Sequence, residues 1–177
     1  GGSHILGYLA DHAYLIDALI TLYEATFDYF YLDAAENLAD SMVDRFWDQE
    51  SEVFYDTSLE HSKLIVRPRD TLDNAVPSGG SIAALSLLRL SLLTGDSGYA
   101  SKAESSIKAL VPQIRRAPLS VTSWISAADF LKTDSSQIVL LGNHESSTLT
   151  EMIAAVRSRY LPNLVLAGAR CDVSNDE

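Results

Sequence analysis

Cysteine is nearly absent from this 177-residue chain: Cys171 stands alone. No intrachain disulfide can form, and neither a CxxC redox pair nor a thiolate metal cluster exists. A reducing, cytoplasmic setting is the expectation that fits. Basic residues are also scarce, 13 against 24 acidic, for a formal net charge of −11. Nucleic acid is thereby disfavoured, because binding a phosphate backbone requires a basic footprint. Anionic membrane surfaces are disfavoured on the same ground. No run of about 18 apolar residues occurs, so no membrane-spanning helix is expected. The histidines are only four, His4, His12, His61 and His144, without metal-ligand spacing, and neither a metal nor another cofactor is called for.

What is present is a globular composition, 47% apolar and 21% charged, with an internal repeat. Thr26, Asp28, Tyr31, Ala35 and Glu36 recur 68 residues later as Thr94, Asp96, Tyr99, Ala103 and Glu104. Leu19 and Leu22 align with Leu87 and Leu90 upstream. Each copy reads as helix, tight turn, helix, the pattern of stacked αα-hairpins.

The inner helices are expected at about 8–27, at about 78–93 and at 119–131, and the outer ones at about 29–47 and 99–114. The first inner helix is apolar almost all round, which predicts burial on most of its surface. Asp28 and Asp96 are placed as N-caps of the outer helices, and Gly95 supplies a left-handed stop. Phe27 stands where Gly95 does, so the first turn is expected to differ in detail. Residues 53–55 and 64–66 read as a β-hairpin around a polar turn. Strand-like residues 138–142, a helix over 147–160 and residues 164–166 predict a small βαβ element with parallel strands.

Five segments carry a family resemblance. They are GYLADHAYLIDALITLYEATFD at 7–28, RFWDQE at 45–50, IVRPRDTLDNAVPSGGSIAALSLLRLSLLTGD at 65–96, IVLLG at 138–142 and LPNLVL at 161–166. Together the chain resembles the C-terminal part of the large thioredoxin-domain-containing proteins of the spermatogenesis-associated type. The resemblance implies an (α/α)6 toroid similar to N-acylglucosamine 2-epimerases and six-hairpin glycosidases, of which this chain would hold the later hairpins. The missing N-terminal part of the parent would then be its first partner. Gly80 stands where many family members have asparagine.

The fold expected is therefore mainly α: an incomplete α/α toroid over 8–134, with the β-hairpin at about 53–66. A small βαβ extension follows over 135–168, then a frayed tail over 169–177. Residues 1–7 read as a tag remnant or a loop.

In such a toroid the inner helices run parallel, so their N-termini and the preceding loops gather at one end. That end collects Tyr8, Asp11 and His12 with Arg67, Asp70, Asp73, Asn74, Ser78, Thr122 and Trp124. Carboxylates among amides and aromatics suit a sugar or sugar-like ligand, which needs its hydroxyls held and its leaving group protonated. Asp73 and Asp11 are the acid/base candidates, with His12 behind them. Tyr8, Arg67, Asp70, Asn74, Ser78 and Trp124 are the substrate-binding candidates.

Each has a structural alternative. Asp11 complements a helix dipole, His12 can be a hydrogen-bonded framework group, and Asp70 and Asp73 can bond nearby amides in turns. Ser78 and its glycines read as a helix cap rather than a phosphate cradle, since a P-loop lysine is absent. They lack the flanking strand of a nucleophile elbow. Trp47 reads as core and Trp124 as the better cleft-lining aromatic. Gly142 to Glu145 carries no nucleotide fingerprint. The competing function is a non-catalytic scaffold that binds protein and serves a thioredoxin domain.

Leu15, Leu19 and Leu22 are expected to lie partly uncovered on the first helix, which predicts a homo-oligomer. Sedimentation velocity checks this: a concentration-dependent dimer is the expected outcome, and a strictly monomeric profile would count against it.

Overall fold

The computed structural model describes residues 6–60, 65–133, 135–143 and 146–171. Helix α1 (Leu9–Thr26) packs on α2 (Tyr29–Phe46) and on α3 (Gly79–Thr94). In turn α3 packs on α4 (Ser97–Arg116) and α5 (Thr122–Lys132). The result is an inner row, α1, α3 and α5, backed by an outer row, α2 and α4: a sector of stacked hairpins. No described helix is long and apolar enough to cross a membrane.

Burial follows the two roles. Outer α2 buries one stripe, Leu32, Ala35, Ala39, Met42 and Phe46, and turns its acids outward. Central α3 is buried nearly all round, including Ser81 and Ser86. Helix α1 departs from the expectation of burial on most of its surface. Only Leu9, Ala13, Ile16, Ile20 and Tyr23 are buried, while Leu15 and Leu22 remain 52% and 43% exposed. The reason is position, because α1 lies at the edge of the row with inner-helix company on one side only.

The repeated residues build the same corner twice. Thr26 Oγ1 donates to Leu22 O at 2.8 Å and accepts from Asp28 N–H; Thr94 Oγ1 does both with Leu90 and Asp96. The Asp28 carboxylate then accepts from Phe30 N–H, as that of Asp96 does from Gly98 N–H. The expected difference between the two turns is absent. Phe27 adopts the left-handed conformation (φ 58°, ψ 22°) just as Gly95 does (φ 82°, ψ 2°). A β-carbon in that region costs about 1–2 kcal/mol, and burial of the Phe27 ring offsets it. The repeated tyrosine of the second copy also ties the two outer helices, since Tyr99 O–H donates to Asp40 on α2 at 2.6 Å.

Two strand expectations are corrected. The hairpin pairs β1 (Trp47–Asp48) with β2 (Val53–Phe54), antiparallel, rather than spanning 53–66. Trp47 packs edge-on against Phe54 at 4.9 Å and Asp48 accepts from Ser51 N–H to close the turn, whereas Ile65 and Val66 are exposed. Leu64 and His61 lie outside the described residues. At the C-terminus, β3 (Ser136–Asn143), α6 (Ser147–Arg157) and β4 (Leu164–Cys171) form the expected parallel pair, in register from Ser136↔Leu164 to Asn143↔Cys171. Strand β4 thus continues past residue 168 through the first residues of the expected frayed tail; 172–177 lie outside the described residues.

This βαβ unit covers the C-terminal ends of the inner helices. Arg157 Nη2 donates to the Glu24 and Ala25 carbonyls, placing a cation on the negative end of α1. Phe27, Leu140, Leu149, Ile153 and Leu166 form a separate apolar cluster there. Gly168 lies beneath the Phe27 ring, where an added β-carbon would approach to 2.8 Å. Gly168→Ala is expected to destabilise the fold by about 1–3 kcal/mol through overpacking, a fall in Tm of roughly 2–4 °C per kcal/mol. Calorimetry checks it, and an unchanged Tm would show that the βαβ unit is not seated there.

Candidate functional site

At the opposite end, the N-termini of α1, α3 and α5 meet the loops over 55–60, 67–78 and 117–121. Leu9 N–H donates to Asp56 O, Asp56 N–H to Pro68 O, Asp73 N–H to Ser120 O, and Tyr14 O–H to Pro77 O. The irregular loop is therefore stitched to all three inner helices. Thr71 Oγ1 adds a bond to Gln113 on α4. An open depression of about 400 Å³, lined by Leu72, Pro112, Gln113, Arg116, Ala117 and Ser120, lies alongside.

Asp73 is the centre of this arrangement. Its Oδ1 accepts from Ser78 N–H at 3.1 Å, and its Oδ2 accepts from Ser123 N–H at 2.7 Å and Thr122 Oγ1–H at 3.2 Å. One carboxylate thus serves the first residues of α5 and the cap of α3. With both oxygens occupied by donors it is a framework group rather than a free acid. The same interaction explains a helix boundary. Residues 118–120 form a short 3₁₀ turn, and α5 begins at Thr122 rather than at 119, where Asp73 supplies the missing acceptor.

The other expected residues divide between frame and face. Asp11 Oδ2 accepts from Tyr8 N–H at 2.8 Å, closing the first turn of α1. His12 Nδ1 donates to the Tyr8 carbonyl at 3.0 Å and its ring meets Phe46 edge-on, which leaves Nε2 as the acceptor of the neutral imidazole. Arg67 is a clamp: Nε donates to Thr57 O, Nη2 to Arg45 O, and the guanidinium lies 4.6 Å from the Tyr55 ring centre. Asp70 Oδ1 accepts from Leu72 N–H. Asn74 is exposed, and buried Ser78 caps α3 by accepting from Ser81 N–H.

Trp124 does not line a cleft. It is 1% exposed, donates from Nε1 to Thr71 O at 3.1 Å, and packs against Gly80. A β-carbon at Gly80 would lie 2.8 Å from the indole, so glycine at this position makes room for the ring. Trp47, expected in the core, packs partly buried against it.

Three residues of the face went unrecognised from the sequence: Tyr14, Asp56 and Arg69. Asp56 read as a turn residue, yet it is half-buried with its Oδ2 accepting from Asp70 N–H at 2.6 Å. Burial pushes its carboxyl above the ordinary range and the nearby Asp70 charge adds to this, against the Asp70 N–H bond and Arg69. Burial likewise raises the Tyr14 phenol, with help from Asp73 and Asp17. Among the described residues no group of three or more His, Cys, Asp or Glu side chains could hold a metal ion.

Paired rows of parallel inner and antiparallel outer helices, with loops and carboxylates gathered at the inner N-termini, define the six-hairpin glycosidase class of fold. A sequence model of glycosyl hydrolase family 47 matches residues 14–150, most of the chain. The chain belongs to glycosyl hydrolase family 47. It is also 31% identical over 170 residues to human spermatogenesis-associated protein 20 and equally so to the rat protein; the match takes in 96% of this chain and 22% of either relative. An uncharacterised protein of Caenorhabditis elegans is 26% identical over 164 residues. The chain spans about a fifth of the length of the curated relatives it matches.

Two outcomes follow from the site geometry. Asp73→Ala orphans the α5 and α3 donors and is expected to cost about 2–4 kcal/mol, read by urea denaturation; a loss under about 0.5 kcal/mol would contradict the staple. For Asp56 the sign is set by its raised value. The group favours the fold fully below the ordinary carboxylate value of 3.8, and that contribution disappears as pH rises through the raised one. Asp56→Asn should therefore gain stability relative to the parent chain as pH rises from about 4 to 7. A pH-independent difference between the two melting curves would rule this out.

Proposed function

We propose that this chain is one sector of a carbohydrate-binding toroid, with the ligand meeting the loop end of the inner helices. Asp56 is the observation that carries the reading. It is a half-buried carboxyl held toward its protonated form beside a second acid, Asp70. Glycosidic chemistry uses such a pair, one carboxylic acid to protonate the leaving oxygen and one carboxylate. Asp56 is assigned the acid and Asp70 the partner. Tyr8, Tyr14, Asn74 and the Nε2 of His12 are assigned to sugar hydroxyls, and Asp11, Asp73, Arg67 and Ser78 to the frame. The remaining walls belong to the rest of the parent protein, so this chain alone is expected to bind rather than to turn over. A reducing, cytoplasmic setting belongs to the same proposal.

One observation favours the second reading, a non-catalytic scaffold for the parent and its thioredoxin-type domain. Asp11, Asp70 and Asp73 all accept from backbone N–H groups, leaving the face few unengaged carboxylates.

Thermal-shift screening of the full-length parent against neutral, acidic and phosphorylated sugars separates the two. The carbohydrate reading predicts hits that Asp56→Asn weakens by up to about tenfold, through loss of the acid's O–H donor. No hits, or hits indifferent to Asp56→Asn, would sink it. A specific protein client lost on substitution of Asn74 and Tyr8 would support the scaffold.

A further inference from the structure

We propose that Arg69 is an anion-recognition residue, and that the ligand of the loop face carries a carboxylate or phosphate for it to meet. The inference rests on the carbohydrate reading for where the ligand sits. The backbone around Arg69 is pinned on both sides to one residue: Asp56 N–H donates to Pro68 O at 3.0 Å, and Asp70 N–H donates to Asp56 Oδ2 at 2.6 Å. The guanidinium feels the Asp56 charge but has no bonded partner. Among the described residues it makes no hydrogen bond or ion pair, and its Nη2 is buried without an acceptor.

Arg67, two residues earlier, shows the contrast. Its guanidinium is consumed by the Thr57 and Arg45 carbonyls and the Tyr55 ring, so it can only be structural. Arg69 stands in the same loop with the same chemistry and no such partners. A desolvated guanidinium without an acceptor is costly, and burial already weakens its hold on the proton. The side chain as a whole is only partly buried, and it has no bond to break on turning toward a ligand. Its planar fork matches a carboxylate or phosphate with two parallel hydrogen bonds, and the negative charge compensates its own. A neutral hydroxyl supplies one acceptor and no charge.

A guanidinium without a bonded partner also predicts a trade: removing it should cost the empty protein little. Arg69→Gln and Arg69→Lys variants of the 177-residue chain are compared by calorimetry and by titration. The probes are glucuronate, glucose 6-phosphate, glucose and inorganic phosphate at one ionic strength. The expected result is an unchanged or higher Tm for the empty Gln variant. Acidic sugars should bind about tenfold or more tighter than glucose, a preference that Gln abolishes and Lys only partly restores.

If glucose binds as tightly as its acidic relatives, the carbohydrate reading stands and the anion inference falls. If phosphate alone binds, and does so through Arg69, the anion site stands and the sugar reading falls. A Tm lowered by several degrees in Arg69→Gln would reveal a partner within the protein and overturn the inference. Silence from all four probes overturns both.

Discussion

One carboxylate holds the loop end of this molecule together. Asp73 sits in an irregular loop, yet it accepts from the cap of α3 with one oxygen and from the first turn of α5 with the other. Helix N-termini need acceptors for their unpaired N–H groups, and a charged acceptor is the strongest kind. By serving two helices at once, Asp73 fixes the loop over 67–78 relative to the inner row. The positions of Asp56, Asp70 and Arg69 follow, because the same loop is stitched to Asp56 through Pro68 and Asp70. A residue with the type and place of a catalytic acid is instead what makes a site there feasible.

The two ends of the inner row have opposite characters. At the C-terminal end the terminal groups find partners: the Thr–x–Asp corners satisfy their own donors, Arg157 covers the last carbonyls of α1, and Phe27 is buried over Gly168. At the N-terminal end, groups are left over. Asp56 is kept toward its protonated form, and among the described residues His12 Nε2 and Arg69 Nη2 have no hydrogen-bond partner. These left-over groups mark the end where the repeats differ.

Much of the helical frame was legible because it depends on local chemistry. Apolar periodicity places α1 to α4, and Asp28, Asp96 and Gly95 mark the corners by their own side chains or the lack of one. What escaped depends on distant partners. The left-handed Phe27 is intelligible only with Gly168 beneath it, far along the chain. Residues 64–66 carry β-type side chains, but burial went to Trp47 and Phe54, so Ile65 and Val66 stay in solvent. Trp124 entered the core because Gly80 leaves room for it. Asp56 resembled any turn aspartate, because its half-buried state comes from the loop folding over it rather than from its neighbours in sequence. Family membership, in turn, rests on sequence matches over most of the chain and on no single site residue.

The central claim is that ligand chemistry belongs to the N-terminal end of the inner helices and not to the end closed by the βαβ unit. Backbone amide shifts followed by NMR during a titration with glucose 6-phosphate test it most directly. The account predicts perturbations gathered at residues 55–56, 67–74 and the first turn of α1, with the corners at Thr26 and Thr94 silent. Shifts centred instead on the groove of about 310 Å³ lined by Thr21, Glu24, Arg157 and Leu164, at the opposite end, would contradict it.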